Sequence, residues 1–203
     1  MTAGTTLAQK AEETIRAHHG FIRTAEARQL GIPLSILQRM ERTGILVRET
    51  RGLYRLADLD PISNPDWTYV ASKNPRVVFC LVSALYFHTL TTQVPHVVYV
   101  ALPKGAWRPR LAYPPTQVVF MSPASYQAGI ETHIVDHLSV QVYSKEKTIA
   151  DCFKFRNAIG EDIAVEALQD YLRQQPRDIS ALTKYAQINR VYRVMRPYLQ
   201  GAL

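Results

Sequence analysis

Ser35, Gln38, Arg39 and Arg42 are spaced i, i+3, i+4 and i+7, so a helix over this stretch carries all four on one face. Side chains of these types reach base edges and phosphates from the major groove of duplex DNA. There arginine pairs bidentately with guanine and glutamine with adenine. Ile36, Leu37 and Met40 fall on the other side and are expected to pack inward. Farther on, Arg48, Arg51 and Arg55 sit in ILVRETRGLYRL, which reads as strands over 45–48 and 53–56 around a turn at 49–52. Between Phe21 and Leu56 there are seven arginines and three glutamates, so this segment is itself basic.

The elements that must position these residues are legible as a short helical run. Thr5 or Thr6 can cap a helix that reaches about His18 and stops at Gly20. Phe21 and Ile22 then read as a short extended anchor. Thr24 opens a second helix, TAEARQL, closed by Gly31, and Pro33 suits the first turn of a third, PLSILQRMERTG, which ends at Gly44. Two short helices joined by a tight glycine turn are the helix-turn-helix signature, and a hairpin directly after them is a wing. The expected DNA-binding set is therefore Thr24, Ser35, Gln38, Arg39 and Arg42, with Arg48, Arg51 and Arg55 on backbone phosphates or an adjacent minor groove. A merely solvated helix face, or a winged helix that docks protein, is the competing reading of the same residues.

The chain breaks near position 60 in LADLDPISNPDW, which separates a domain over 1–60 from a second over 61–203. Runs at 77–82, 96–103 and 117–122 read as strands, and 131–144 as two more around Asp136–Leu138. From Ser144 onward the pattern is helical. The fold class expected is α+β: a winged helix-turn-helix, then a larger mixed domain ending in a helical bundle. Two basic rows stand out in the helical half. Lys147, Asp151 and Lys154 recur at i, i+4 and i+7 as an exposed stripe flanked by Lys145 and Arg156. Arg190, Arg193 and Arg196 repeat along the last helix opposite Val191, Val194 and Met195. They are either solvated helix backs or a surface for an acidic partner or RNA.

Composition excludes several classes. The 203 residues are 47% apolar and 20% charged, which suits folded domains. No apolar run approaches the roughly 20 residues that span a bilayer, and the polar start lacks a signal-peptide core, so a cytoplasmic protein with no membrane partner is expected. The net charge of +7 favours an anionic partner. Cys80 and Cys152 form no disulfide framework and no zinc spacing; Cys152 reads as a packed thiol. Nucleophile elbow, phosphate loop and zincin motif are all missing, so no catalytic residue, metal or cofactor is assigned. His18–His19 reads as a helix end and Asp136–His137 as a surface turn. A nuclease-like enzyme is disfavoured because the acids are dispersed.

A winged helix followed by an α+β domain that carries YSKEKTIADCFKFRNAIGEDIAVEALQDYL resembles the AbiEi-type antitoxins of bacterial type IV abortive-infection toxin–antitoxin systems. The stretch 144–152 is the more particular mark. The resemblance implies a non-enzymatic antitoxin of phage defence whose first domain represses its own operon by binding repeats in the promoter; because one short recognition helix reads only a few base pairs, two copies on an inverted repeat, self-associating on DNA, are expected. It implies a second domain that opposes a nucleotidyltransferase-like toxin without requiring a stable complex. On this reading Lys145, Lys147, Lys154, Arg156, Arg190, Arg193 and Arg196 are the candidate antitoxic surface. The alternative is a winged-helix regulator whose second domain senses a ligand or dimerises.

Overall fold

The structure, a computed structural model, describes residues 6–18, 20–61, 63–74, 76–108, 114–136 and 138–200. Thr6 caps the first helix, α1 (Leu7–Ala17), accepting from the Gln9 amide while the Gln9 side chain accepts from Thr6. Thr5 lies outside the described residues. β1 (Phe21–Arg23) and α2 (Thr24–Gln29) follow, then α3 (Leu34–Arg42), with Pro33 at its N-cap. β2 (Leu46–Thr50) and β3 (Leu53–Leu56) form the hairpin, with a bulge between Arg48 and Thr50. Gly52, at φ 80°, supplies the left-handed residue that the tight turn demands. β1 adds to the other edge of β3, giving the order β1-β3-β2 and the topology of a winged helix. Ala11, Ile15, Ile22, Leu37, Met40, Leu46 and Tyr54 form its core.

The remainder is α4 (Pro65–Lys73), β4 (Val78–Phe79), α5 (Leu81–Phe87), β5 (Val98–Pro103), β6 (Thr116–Met121) and α6 (Pro123–Gln127). β7 (Ile130–Val135) and β8 (Leu138–Tyr143) come next, then α7 (Lys145–Lys154), α8 (Arg156–Ile159), α9 (Glu161–Arg173), α10 (Ile179–Ile188) and α11 (Tyr192–Gln200). The five strands order as β6-β5-β4-β8-β7, with β4–β5 antiparallel and β5–β6 and β4–β8 parallel. α7 packs against α5, α9 and α10, so it is the central helix of this part. The fold is thus α+β, with the mixed sheet, interleaved with α5 and α6, preceding the run of helices α7 to α11. No helix among the described residues is long and apolar enough to cross a membrane.

Two element readings change. The run 77–82 is a two-residue strand, because Cys80 caps α5 and the helix already starts at Leu81. A continuous apolar run is compatible with buried strand or buried helix alike, and here it is both. The helix expected through 144–160 breaks at Phe155 into α7 and α8.

The chain forms two compact units, residues 1–69 with 135–138, and 70–134 with 139–203. Within the first, the Asp136 carboxylate accepts from the Ser63 amide and hydroxyl, the Asn64 amide and the Thr68 hydroxyl. Burial alone would raise this carboxyl, but the hydrogen bonds outweigh it and hold the group below the usual carboxylate range. A depressed carboxyl contributes stability that is present above its unfolded value and lost as pH falls through the folded one. Asp136→Asn should therefore lower the urea midpoint at neutral pH, with the gap from the parent closing below about pH 4. A gap that did not change with pH would show that the charge contributes nothing.

Candidate nucleic-acid interface and buried polar network

Along α3, Leu37 and Met40 are fully buried and Ile36 packs partly against the same core. Ser35, Gln38, Arg39 and Arg42 are all exposed on the opposite arc. Leu34, 43% exposed in the first turn, extends that arc and was not singled out from the sequence. Its place on the polar face is the signal that could have found it. On the hairpin Arg48 and Arg51 are exposed. Among the described residues Arg39, Arg42, Arg48 and Arg51 enter no ion pair. Thr24 is half-buried, and its amide and hydroxyl both donate to the Gly52 carbonyl, which ties α2 to the hairpin turn.

Arg55 departs from the expectation. It is buried in β3, its Nε donating to Glu49 at 2.5 Å and its Nη1 to the carbonyls of Leu56 and Leu59. The whole of β3 is enclosed, flanked on either side by β1 and β2, so Arg55 has no solvated face to offer a phosphate. Arg23 is a second buried arginine, its guanidinium 3.9 Å from the Tyr69 ring centroid; burial pulls its pKa down to about 10, with Tyr69 and Glu26 working against that fall.

In the second unit the stripe at 147–151–154 is not exposed. Lys147 and Asp151 are both 0% accessible, with Lys147 Nζ at 2.5 and 2.6 Å from the two carboxylate oxygens. The physical reason is the central place of α7: residues 147–153 are all buried, so the helix has almost no solvated back. Nζ also lies 4.1 Å from the Tyr143 ring centroid and 3.9 Å from Met121 Sδ. Asn189 Nδ2 donates to Asp151 at 2.7 Å, and Ser125 Oγ donates to Asn189 Oδ1 at 2.7 Å. Burial raises the Asp151 carboxyl, and Lys147 and Asn189 pull it back. Gly129, at φ 71°, admits the lysine stem, since a Cβ there would stand 2.7 Å from Lys147 Cβ.

The other basic residues divide. Lys145 donates to Gln174 at 2.9 Å, Arg156 to the Phe153 carbonyl at 2.9 Å, and Lys154 reaches Ser125 Oγ at 3.5 Å; all three are half-buried. Arg190, Arg193 and Arg196 are exposed, but Arg190 sits in the joint before α11, not on that helix. Cys80 and Cys152 are free and fully buried, and burial pushes both thiols well up. His18 Nδ1 is 2.9 Å from the Thr14 carbonyl; His19 and His137 lie outside the described residues. Ser125 and Asn189 were missed because they join Asp151 only through the fold, with no local spacing to announce them.

Residues 9–57 match the family described as transcriptional regulator, AbiEi antitoxin. That AbiEi match spans α1 through the hairpin, the part that carries the exposed α3 face. No curated protein matches the chain. A solved structure, the Rv2827c protein from Mycobacterium tuberculosis, is similar at a TM-score of 0.56 and 15% identity, covering 98% of this chain and 84% of that one. That likeness is one of fold.

Removing one partner of a buried ion pair leaves the other charge uncompensated, at a cost of about 3–5 kcal/mol, whereas replacing both by apolar groups is often neutral. Lys147→Met should lose about that much stability in urea unfolding, and Lys147→Met/Asp151→Leu should recover most of it. A single variant as stable as the parent would mean the pair contributes no constraint.

Proposed function

We propose that this chain is the antitoxin and autorepressor of a type IV abortive-infection system in phage defence, working in the cytoplasm. The observation that carries the reading is the α3 arc, Ser35, Gln38, Arg39 and Arg42, exposed and, among the described residues, in no ion pair, with Arg48 and Arg51 on the adjoining hairpin. The α3 residues read base edges in the major groove, Thr24 approaches the backbone, and the hairpin arginines meet phosphates. Two copies bind an inverted repeat, since one short helix reads too few base pairs to beat genomic competition. The family match over this segment supports the assignment. The second unit opposes a nucleotidyltransferase-like toxin, without catalysis of its own, through Lys145, Lys154, Arg156, Arg190, Arg193 and Arg196.

A second reading, ligand sensing by the second unit, is favoured by a cavity of about 580 Å³. Leu81, Tyr99, Gln117, Phe120, Phe155 and Ile159 are among the residues that line it, a mostly apolar wall with two polar groups. Growth rescue from an adjacent toxin gene separates the two readings.

In gel shifts of promoter DNA, Arg39→Ala should cost roughly 1–3 kcal/mol and relax sequence preference. Arg51→Ala should weaken all sequences alike and reduce the salt slope by about one unit. Unchanged binding in Arg39→Ala/Arg42→Ala would overturn the α3 assignment. Reversing Lys145, Arg193 and Arg196 to glutamate should abolish rescue and leave thermal unfolding and promoter repression intact. Full rescue by that folded variant would leave those three as solvated side chains.

A further inference from the structure

The exposed residues of α3 are Leu34, Ser35, Gln38, Arg39 and Arg42. All are polar except Leu34, which is 43% exposed in the first turn. At 3.6 residues per turn Leu34 lies about 40° around the helix axis from Gln38 and about 80° from Arg42, but about 160° from Ile36. The two flanks of the helix therefore face different neighbours. Ile36 lines a groove together with Leu7, Leu30 and Pro33, between α1 and the turn before α3. Leu34 is not part of that wall, so its exposure does not belong to the apolar seam on that side. It belongs with the polar arc.

An isolated apolar side chain on a surface is ordinary by itself, so position decides what this one does. The first turn of a recognition helix is the part that meets base edges in the major groove. Every base presents donors or acceptors there, and thymine alone adds an apolar group, its C5 methyl. Ser35, Gln38, Arg39 and Arg42 answer the donors and acceptors; in this arc Leu34 alone answers the methyl. Gln38 stands one turn along on the same side, with about 5–6 Å between the two Cβ atoms. Its amide matches the N6 and N7 edge of adenine. Leucine and glutamine in one row thus suit a thymine next to an adenine, while Arg39, on the next row, suits guanine.

We propose that Leu34 is a specificity-determining residue of the α3 face, its side chain packed on the C5 methyl of one thymine, with Gln38 on an adjoining adenine. This role rests on the α3 reading given above and adds to it the identity of a base. Closing a leucine over a methyl takes apolar surface of both out of water and strands nothing polar. Cytosine in the same place lacks the methyl and turns an amino donor toward the leucine, which leaves that donor unpaired. Discrimination therefore comes from the mismatch as well as from the contact.

The test uses promoter duplex in gel shifts with the full chain, remade with deoxyuridine in place of each thymine in turn. The change removes the methyl and leaves the hydrogen-bonding edge as it was. Uracil at one position of a half-site should weaken the parent about fourfold, the worth of one methyl kept out of water. Leu34→Ala should weaken binding to the all-thymine duplex by roughly three- to tenfold. It should then be indifferent to the uracil that the parent rejects, because a contact can be lost only once. Alanine favours helix and Leu34 is exposed, so the variant should melt as the parent does. Leu34→Met, apolar and similar in reach, should keep the preference for thymine. A parent indifferent to every uracil overturns the assignment, and so does a Leu34→Ala variant as sensitive to uracil as the parent. The second outcome, with an equal loss on every duplex, places the leucine against the DNA backbone or a second copy. If the parent binds no promoter duplex, the α3 reading fails and takes this role with it; a parent that binds but ignores the methyl sinks this role alone.

Discussion

The Lys147–Asp151 ion pair is the constraint on which the second unit is built. Taking both charges out of water costs several kcal/mol per ion, and their attraction offsets this only where geometry and further hydrogen bonds are good. Here both carboxylate oxygens meet Nζ, the Asn189 amide takes Oδ1, and the Tyr143 ring faces the ammonium. Each compensating group comes from a different element: Met121 from β6, Tyr143 from β8, Asn189 from the end of α10. An apolar core tolerates small slips of one element past another; this cluster does not, because a displaced partner leaves a buried charge exposed to nothing. The pair therefore sets how α7 seats against the sheet and α10.

Neighbouring peculiarities follow from that seating. Gly129 has to be glycine twice over, for its positive φ and because the Lys147 stem occupies the space of a side chain. Its carbonyl also accepts from the Ser144 amide, at the residue whose hydroxyl caps α7. Tyr143, one residue earlier, donates to the Tyr126 carbonyl, and its phenol is pushed up chiefly by burial and then by the Asp151 charge. One ion pair thus reaches the strand end, the cap and the loop before it.

How much of this was legible depended on whether a local period was decisive. The α3 face was, because helix spacing alone separates Leu37 and Met40 from Gln38, Arg39 and Arg42, and tertiary packing left that separation intact. Arg55 was not, since its spacing does not distinguish a solvated wing from an enclosed strand, and Glu49 arrives across the hairpin. Lys147, Asp151 and Lys154 misled for a related reason: charges at i, i+4 and i+7 describe a solvated back equally well as an internal pair. The correct sign was in the rest of the helix. Ile149, Ala150, Cys152 and Phe153 are apolar on the remaining sides, and a helix apolar all round is a buried one. Ser125 and Asn189 had no such sign, being remote in sequence and brought together only by the sheet and α10.

Enclosure also sorts the chain's excess of positive charge. Arg55 and Lys147 are closed in with Glu49 and Asp151 as partners, so their fields are largely cancelled at short range. Among the described residues the cations facing water include Arg39, Arg42, Arg48 and Arg51 in the first unit and Lys104, Arg190, Arg193 and Arg196 in the second, while Lys154 is half-buried. Such charges act on an approaching anion only within about 8 Å in physiological salt, so their grouping matters more than the formal +7. Substituting an enclosed cation disturbs the fold, whereas substituting an outward one changes only what the surface can attract.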